Sequence, residues 1–263
     1  CPILKRASEN DLSHQQVIEK TSAFKNIRFV TCSRWLMEVA QKSSLLKNAE
    51  VCSIPNPIDI NDYHPAKDKL ALKVDLGLNP QKKYLLFGAT KISEERKGLK
   101  FMLEALEILT QDAWFREHTG LIVYGNTADF NFHHSGYDLQ LTGYLQQHAL
   151  KRYYQASEVY VIPSLEDNLP NTVMESLACG LPVAGFNTGG IPEMVDHLSN
   201  GYIAEQRNAE DLAAGILWIL KHPEWELLSE SALNKVATCY EASVIAGKFR
   251  EIYQLQLDSL HKH

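Results

Sequence analysis

The chain has 263 residues, 45% of them hydrophobic and 22% charged, ordinary values for a globular protein and enough to build one large core or two small ones. A formal net charge of −6 with no strongly basic region excludes a polyanion-binding surface, so nucleic acid is not an expected partner. No apolar run approaches the ~18 residues of a membrane span, and five widely spaced cysteines without a C-x-x-C pair exclude a disulfide framework and a structural zinc site.

The opening CPILKRASENDLS has neither an initiator Met nor the apolar stretch of a signal peptide, and a fragment or processed form is expected. The thiols read as reduced, which points to a cytoplasmic chain, with a peripheral place at the inner membrane face left open. Residues 27–32 read as a strand, 35–46 as a helix, and 50–56 as a strand ended by Pro55 and Pro57. The stretch 57–82, rich in proline and charge, carries a short helix at 67–76 and looks like a domain boundary. A second series follows. Strand 83–89 leads to helix 98–111, whose Phe101, Met102, Ala105, Leu106 and Leu109 recur at helical spacing. Strand 120–125, a polar loop 126–137, strand 138–143, helix 147–156 and strand 159–164 come next. Helix 171–180 closes at Gly180, a C-cap glycine. Strand 182–186, a short helix 191–195 and strand 202–205 follow. Helix 208–221, with Asn208 as N-cap, and helices 224–237 and 241–260 end the chain.

This alternation predicts an α/β fold with a doubly wound, Rossmann-like parallel sheet. Such sheets bind ligands at the carboxyl ends of their strands, so the chemistry belongs to the loops after residues 88, 125, 143, 163 and 186.

The densest motif is PSLEDNLPNTVMESLACGLPVAGFNTGGIPEMV, residues 163–195. Asp167 falls in the loop after a strand, and Glu175 falls one turn into the next helix. The entry Leu169-Pro170-Asn171-Thr172 presents free N–H groups to an anion such as a phosphate, and proline suits such an entry. Carboxylates beside it suit sugar and ribose hydroxyls, because each accepts several hydrogen bonds. Gly189 and Gly190 make a turn where backbone can approach a ligand. A second cluster, FGATKISEERKGLKF, sets Lys91, Arg96 and Lys97 before Gly98. Adjacent cations at a helix start repel unless an anion joins them, and a diphosphate is such an anion. His133-His134 lacks a third ligand at helical spacing and reads as a solvated loop. Tyr153-Tyr154 reads as core packing, with one ring near a base as the alternative.

The acids at 167 and 175, Gly180-Leu181-Pro182-Val183 and Gly189-Gly190-Ile191-Pro192-Glu193 resemble the donor-site motif of the retaining glycosyltransferases of family four, which have the GT-B fold. Lys97-Gly98 matches the K-G of that family. Gly125-Asn126 matches its glycine turn near the nucleotide, and residues 53–65 resemble its hinge. Asp167 stands where the family usually has Glu, with neighbouring Glu166 as an alternative register, and Ala89 stands where it often has Arg. The resemblance implies sugar transfer from a nucleoside diphosphate sugar to a carbohydrate or lipid-linked acceptor, with retention and without a bound metal. Polysaccharide or glycoconjugate assembly is the implied setting. By the same resemblance Asp167 and Lys97 are the catalytic residues, contacting the donor sugar and the diphosphate. Glu175 would hold the ribose, and Arg96, Lys91, Gly125, Asn126, residues 169–172, Gly189 and Gly190 would bind the donor.

The resemblance further implies three parts. Residues 1–60 would be the remnant of an N-terminal acceptor domain with the hinge. Residues 61–240 would be the donor domain, and 241–263 a helix crossing back. With most of the N-terminal domain missing, the chain is expected to bind donor without completing transfer. Two rivals stay open: a nucleotide-sugar epimerase of the same fold, and a donor-binding module without catalysis.

Overall fold

A computed structural model of the protein describes residues 12–24, 27–132 and 137–260. The His133-His134 loop, Cys1 and most of the opening segment lie outside the described residues. The chain divides into two units, one up to Pro55 and one from Asn56 onward.

The first unit holds α1 (Leu12–Ala23), β1 (Arg28–Thr31), α2 (Arg34–Lys42) and β2 (Glu50–Ser53). The strands are parallel, in register from Arg28 with Glu50 to Thr31 with Ser53. Ser33 caps α2 by accepting from the Leu36 N–H at 3.0 Å. Helix α1 was not expected from the sequence, because LSHQQVIEKTSA has no sustained apolar stripe.

The second unit is built on a six-stranded sheet. In chain order it runs α3 (Lys69–Asp75), β3 (Lys83–Lys91), α4 (Leu99–Leu109), α5 (Ala113–His118), β4 (Thr119–Asn126), β5 (Asp138–Gly143), α6 (Gln147–Ala156), β6 (Val159–Ile162), α7 (Asn171–Ala178), β7 (Val183–Phe186), α8 (Ile191–Met194), β8 (Gly201–Ala204), α9 (Ala209–Leu220), α10 (Trp225–Cys239) and α11 (Ala242–Leu260). All pairings are parallel, in the order β5-β4-β3-β6-β7-β8. The doubly wound sheet expected from the sequence is therefore present. Its central strands read as near-continuous apolar runs because both faces are covered: Leu85, Leu86, Leu121, Ile122 and Val123 have no exposed surface.

Topology places the site. From β3 the chain winds outward through β4 and β5, then returns to the other side of β3 as β6 and winds outward through β7 and β8. Right-handed crossovers in opposite directions put α4 and α7 on opposite faces. Helix α4 packs on α9, and α7 on α6 and α10. At the reversal the loops after β3 and β6 splay apart and leave a crevice.

At the opposite end of β6 a buried ionic cluster ties four elements together. Glu158 accepts from Lys73 Nζ at 2.8 Å and from the Tyr84 N–H at 2.6 Å, while its carbonyl accepts from Trp225 Nε1 at 2.9 Å. Lys73 also donates to the Lys82 carbonyl at 2.8 Å, and Lys69 Nζ lies 4.3 Å over the Trp225 ring.

Candidate active site

A cleft of about 540 Å³ opens at the reversal, lined by the ends of β3, β4 and β6 and by the first turns of α6 and α7. Its charged lining is Lys91, Glu94, Arg96, Lys97 and Glu175.

The loop after β3 is shaped by a glycine. Residues Glu95–Lys97 form a 3-10 turn, and Gly98 follows with φ 70°. A Cβ at Gly98 would lie 1.8 Å from the Pro163 carbonyl oxygen, so only glycine lets this turn press onto the end of β6. The contact continues as the Leu165 N–H donates to the Arg96 carbonyl at 2.8 Å. Lys97 is thereby set beside Asp167, its Nζ 2.8 Å from Oδ2, with the side chains 21% and 14% exposed. Arg96, half exposed, pairs with Glu94 at 2.9 Å.

Gly189 and Gly190 brace the same loop from the other side. Gly189 has φ 56°, and a Cβ there would lie 1.6 Å from the Asp167 carbonyl oxygen; the Gly190 N–H donates to that oxygen at 3.2 Å. Thr188 Oγ1 and Gln206 Nε2 both donate to the Leu165 carbonyl, at 3.0 and 2.7 Å. The backbone that these glycines approach closely is the chain's own, at Asp167.

Glu175 stands on the second turn of α7 over a floor of tyrosines. Tyr154 donates its hydroxyl to Oε2 at 3.1 Å, and the Tyr63 hydroxyl also acts on the same carboxylate. Burial raises the Glu175 pKa above its ordinary value, and the two tyrosine hydroxyls oppose that rise by stabilising the carboxylate. Burial also pushes Tyr63 up to about 12, and its hydroxyl accepts from Gln147 Nε2 at 2.7 Å. Beneath, the Tyr124 and Tyr160 hydroxyls meet at 3.2 Å, and Tyr154 stands edge-on to Tyr160.

Of the residues singled out in the sequence, Lys91, Arg96, Lys97, Gly125, Thr172 and Glu175 line the cleft, and Asp167 joins them through Lys97. Glu166 is exposed, so Asp167 is the acid turned to the cation. Others lie off the lining. Asn126 is exposed and accepts from the Ala128 N–H at 3.2 Å. Leu169 and Pro170 are buried, with Pro170 at the N-cap of α7. Asn171 is exposed and accepts from Asn56 Nδ2 at 3.4 Å. Tyr63, Tyr144, Gln147 and Tyr160 were not singled out individually from the sequence, although all but Gln147 fall in segments, 53–65, 141–145 and 150–164, that match the family's hinge and base-flanking patterns. Two carried a local signal: Tyr63 holds the aromatic position of the hinge pattern, and Tyr144 directly follows Gly143. Tyr153 is buried, while Tyr154 combines burial with its bond to Glu175. Among the described residues no three His, Cys, Asp or Glu side chains gather as metal ligands, and no helix is long and apolar enough to cross a membrane.

Comparison with known proteins identifies the family. Residues 81–222 match the family of glycosyl transferases group 1. The amylovoran biosynthesis glycosyltransferase AmsK of Erwinia amylovora is 34% identical over 173 residues, which cover 61% of this chain and 42% of that protein. The chain spans from 29% to 64% of the length of three curated relatives that it matches. Among solved structures, HepE of Anabaena in complex with UDP superposes with a TM-score of 0.72 at 16% identity, covering 94% of this chain and 69% of that one. The C-terminal domain of the group 1 glycosyl transferase LpcC of Francisella tularensis superposes with a TM-score of 0.59 at 16% identity, covering 70% of this chain and 99% of that domain. At such identities the structural likeness shows the fold alone. The family match extends over more than half of the chain and coincides with the sheet that forms the cleft, so this chain belongs to the group 1 glycosyl transferases, with the GT-B fold.

Proposed function

We propose that this chain carries the donor site of an enzyme that moves a hexose-type sugar from a nucleoside diphosphate sugar to a carbohydrate or lipid-linked acceptor, with retention, in polysaccharide or glycoconjugate assembly. One observation carries the reading: Lys97 and Glu175, from opposite sides of the sheet reversal, line one cleft, and Asp167 is bonded to Lys97. Lys97, with Lys91 and Arg96, meets the diphosphate and stabilises the charge that develops as it departs. Glu175, steadied by two tyrosine hydroxyls, accepts from the ribose. Asp167 faces the donor sugar. The amylovoran role of AmsK and the UDP in HepE support the setting and the donor class. In this reading residues 61–240 are the donor domain, and residues up to 60 belong to the acceptor domain and hinge.

Calorimetric titration with UDP, GDP and ADP, each beside its nucleoside, tests the assignment. Glu175→Ala should weaken nucleoside and nucleotide alike. Lys97→Ala should weaken the diphosphate far more than the nucleoside. Each loss should be about 1.5–3 kcal/mol, the worth of a hydrogen bond to a charged group. Failure of the native chain to bind any of the three diphosphates, or full affinity in both variants, would sink the reading.

A further inference from the structure

We infer that Asp167 acts as a charge filter: its carboxylate, fixed against Lys97, weakens the grip of the cleft on a bare nucleoside diphosphate relative to the sugar nucleotide, so spent nucleotide is released and loaded donor retained. The inference rests on the donor-site reading given above.

Two of the three cations that line the cleft are already paired with carboxylates. Lys97 is 2.8 Å from Asp167, and Arg96 is 2.9 Å from Glu94. The Asp167 carboxylate is mostly shielded from water, and its backbone is held in place. Its carbonyl is bonded by Gly190, and Leu165, two residues before it, is bonded by Arg96, Thr188 and Gln206. A bound diphosphate on Lys97 must therefore share that ammonium with the carboxylate already paired to it.

The two ligands differ in charge at this point. The terminal phosphate of a nucleoside diphosphate has a second ionisable oxygen, with a pKa of about 6, and so carries close to one more negative charge at neutral pH than the sugar-bearing diester. In the sugar nucleotide that oxygen is esterified, and the sugar brings hydroxyls that donate to a carboxylate. Asp167 thus repels the increment of charge on the product and accepts hydrogen bonds from the donor. Both effects favour the donor, and salt screens the repulsion in part, because the cleft is recessed but open.

The test compares native protein with Asp167→Asn, Asp167→Ser and Asp167→Glu by calorimetry, using UDP with UDP-glucose and GDP with GDP-mannose at low and high salt. Melting temperatures report whether each variant is folded, and the serine variant stands in if the asparagine variant is not. The neutral variants should bind the bare diphosphate about tenfold more tightly than native, or about 1.4 kcal/mol. They should not bind the sugar nucleotide more tightly, and the gain should shrink at high salt. Asp167→Glu keeps the charge and should show no gain. Neutral variants that bind the diphosphate no better than native, or a glutamate variant with the same gain, would overturn the filter. If they do so while Lys97→Ala still weakens the diphosphate, the donor-site reading survives. A native chain that binds neither diphosphate defeats both.

Discussion

Replacing Gly98 by alanine isolates the contact on which the whole arrangement of Lys97 depends, and Gly77 supplies its control. Both glycines lie in the left-handed region, with φ 70° and 73°. A Cβ at Gly77 meets nothing within 4 Å, whereas one at Gly98 would lie 1.8 Å from the Pro163 carbonyl oxygen. Gly77→Ala therefore costs only the left-handed conformation, about 1–2 kcal/mol. Gly98→Ala bears that cost and a collision with backbone, which forces the turn off β6 and adds about 1–3 kcal/mol in the manner of overpacking. For a unit of this size each kcal/mol lowers the melting temperature by about 2–4 °C. The control should fall by about 2–8 °C, and Gly98→Ala by roughly a further 2–12 °C. The retreat also carries Lys97 away from the cleft that it lines, so affinity for UDP or GDP should drop more than about tenfold in Gly98→Ala, by the worth of a charge-assisted bond to the diphosphate. It should be unchanged in Gly77→Ala, which does not line the cleft. Thermal melts and calorimetry on the two variants decide the matter. If Gly98→Ala melts with the control and binds as the native chain does, the turn is not what positions Lys97.

Two other perturbations follow from the same structure. Glu158→Ala leaves the Lys73 ammonium, 4% exposed, without its carboxylate, and should destabilise by about 3–5 kcal/mol in chemical denaturation; the double variant with Lys73→Met should recover part of that loss, and a double variant worse than either single would refute the pairing. Burial raises the folded-state pKa of Glu175 above its ordinary 4.5, so this carboxyl favours folding below pH 4.5 and loses that contribution as pH rises through the folded value. Glu175→Gln does not titrate, so its melting temperature relative to native should climb between pH 4 and pH 7. A difference, variant minus native, that stays flat or falls over this range would count against the burial of an ionised Glu175.

Much of the fold was legible because its signals are local. The apolar runs of β3, β4 and β6 and the stripe of α4 need only the neighbouring residues to be recognised, and each strand of the second unit falls within a residue or two of its expected place. Helices α1 and α5 escaped for the converse reason: one lacks an apolar stripe, and the other is six residues long. The site was legible where its residues are close in the chain, as in 163–195. The tyrosine floor was not, since Tyr63, Tyr124, Tyr154 and Tyr160 come from the segment before α3, β4, α6 and β6.

The sequence by itself determined the fold class, the order of strands and helices, and the residue types that could meet a sugar nucleotide. Tertiary structure alone decided how they meet. The bond between Lys97 and Asp167 spans seventy positions and exists because β6 returns to lie beside β3, which brings the loops after these two strands together. The positive φ of Gly98 and Gly189 has meaning only because the Pro163 and Asp167 carbonyls lie where a Cβ would be. Periodicity and capping act over one or two turns of chain, whereas charge pairing and steric exclusion act across whatever the sheet brings together, and no local pattern encodes that partner.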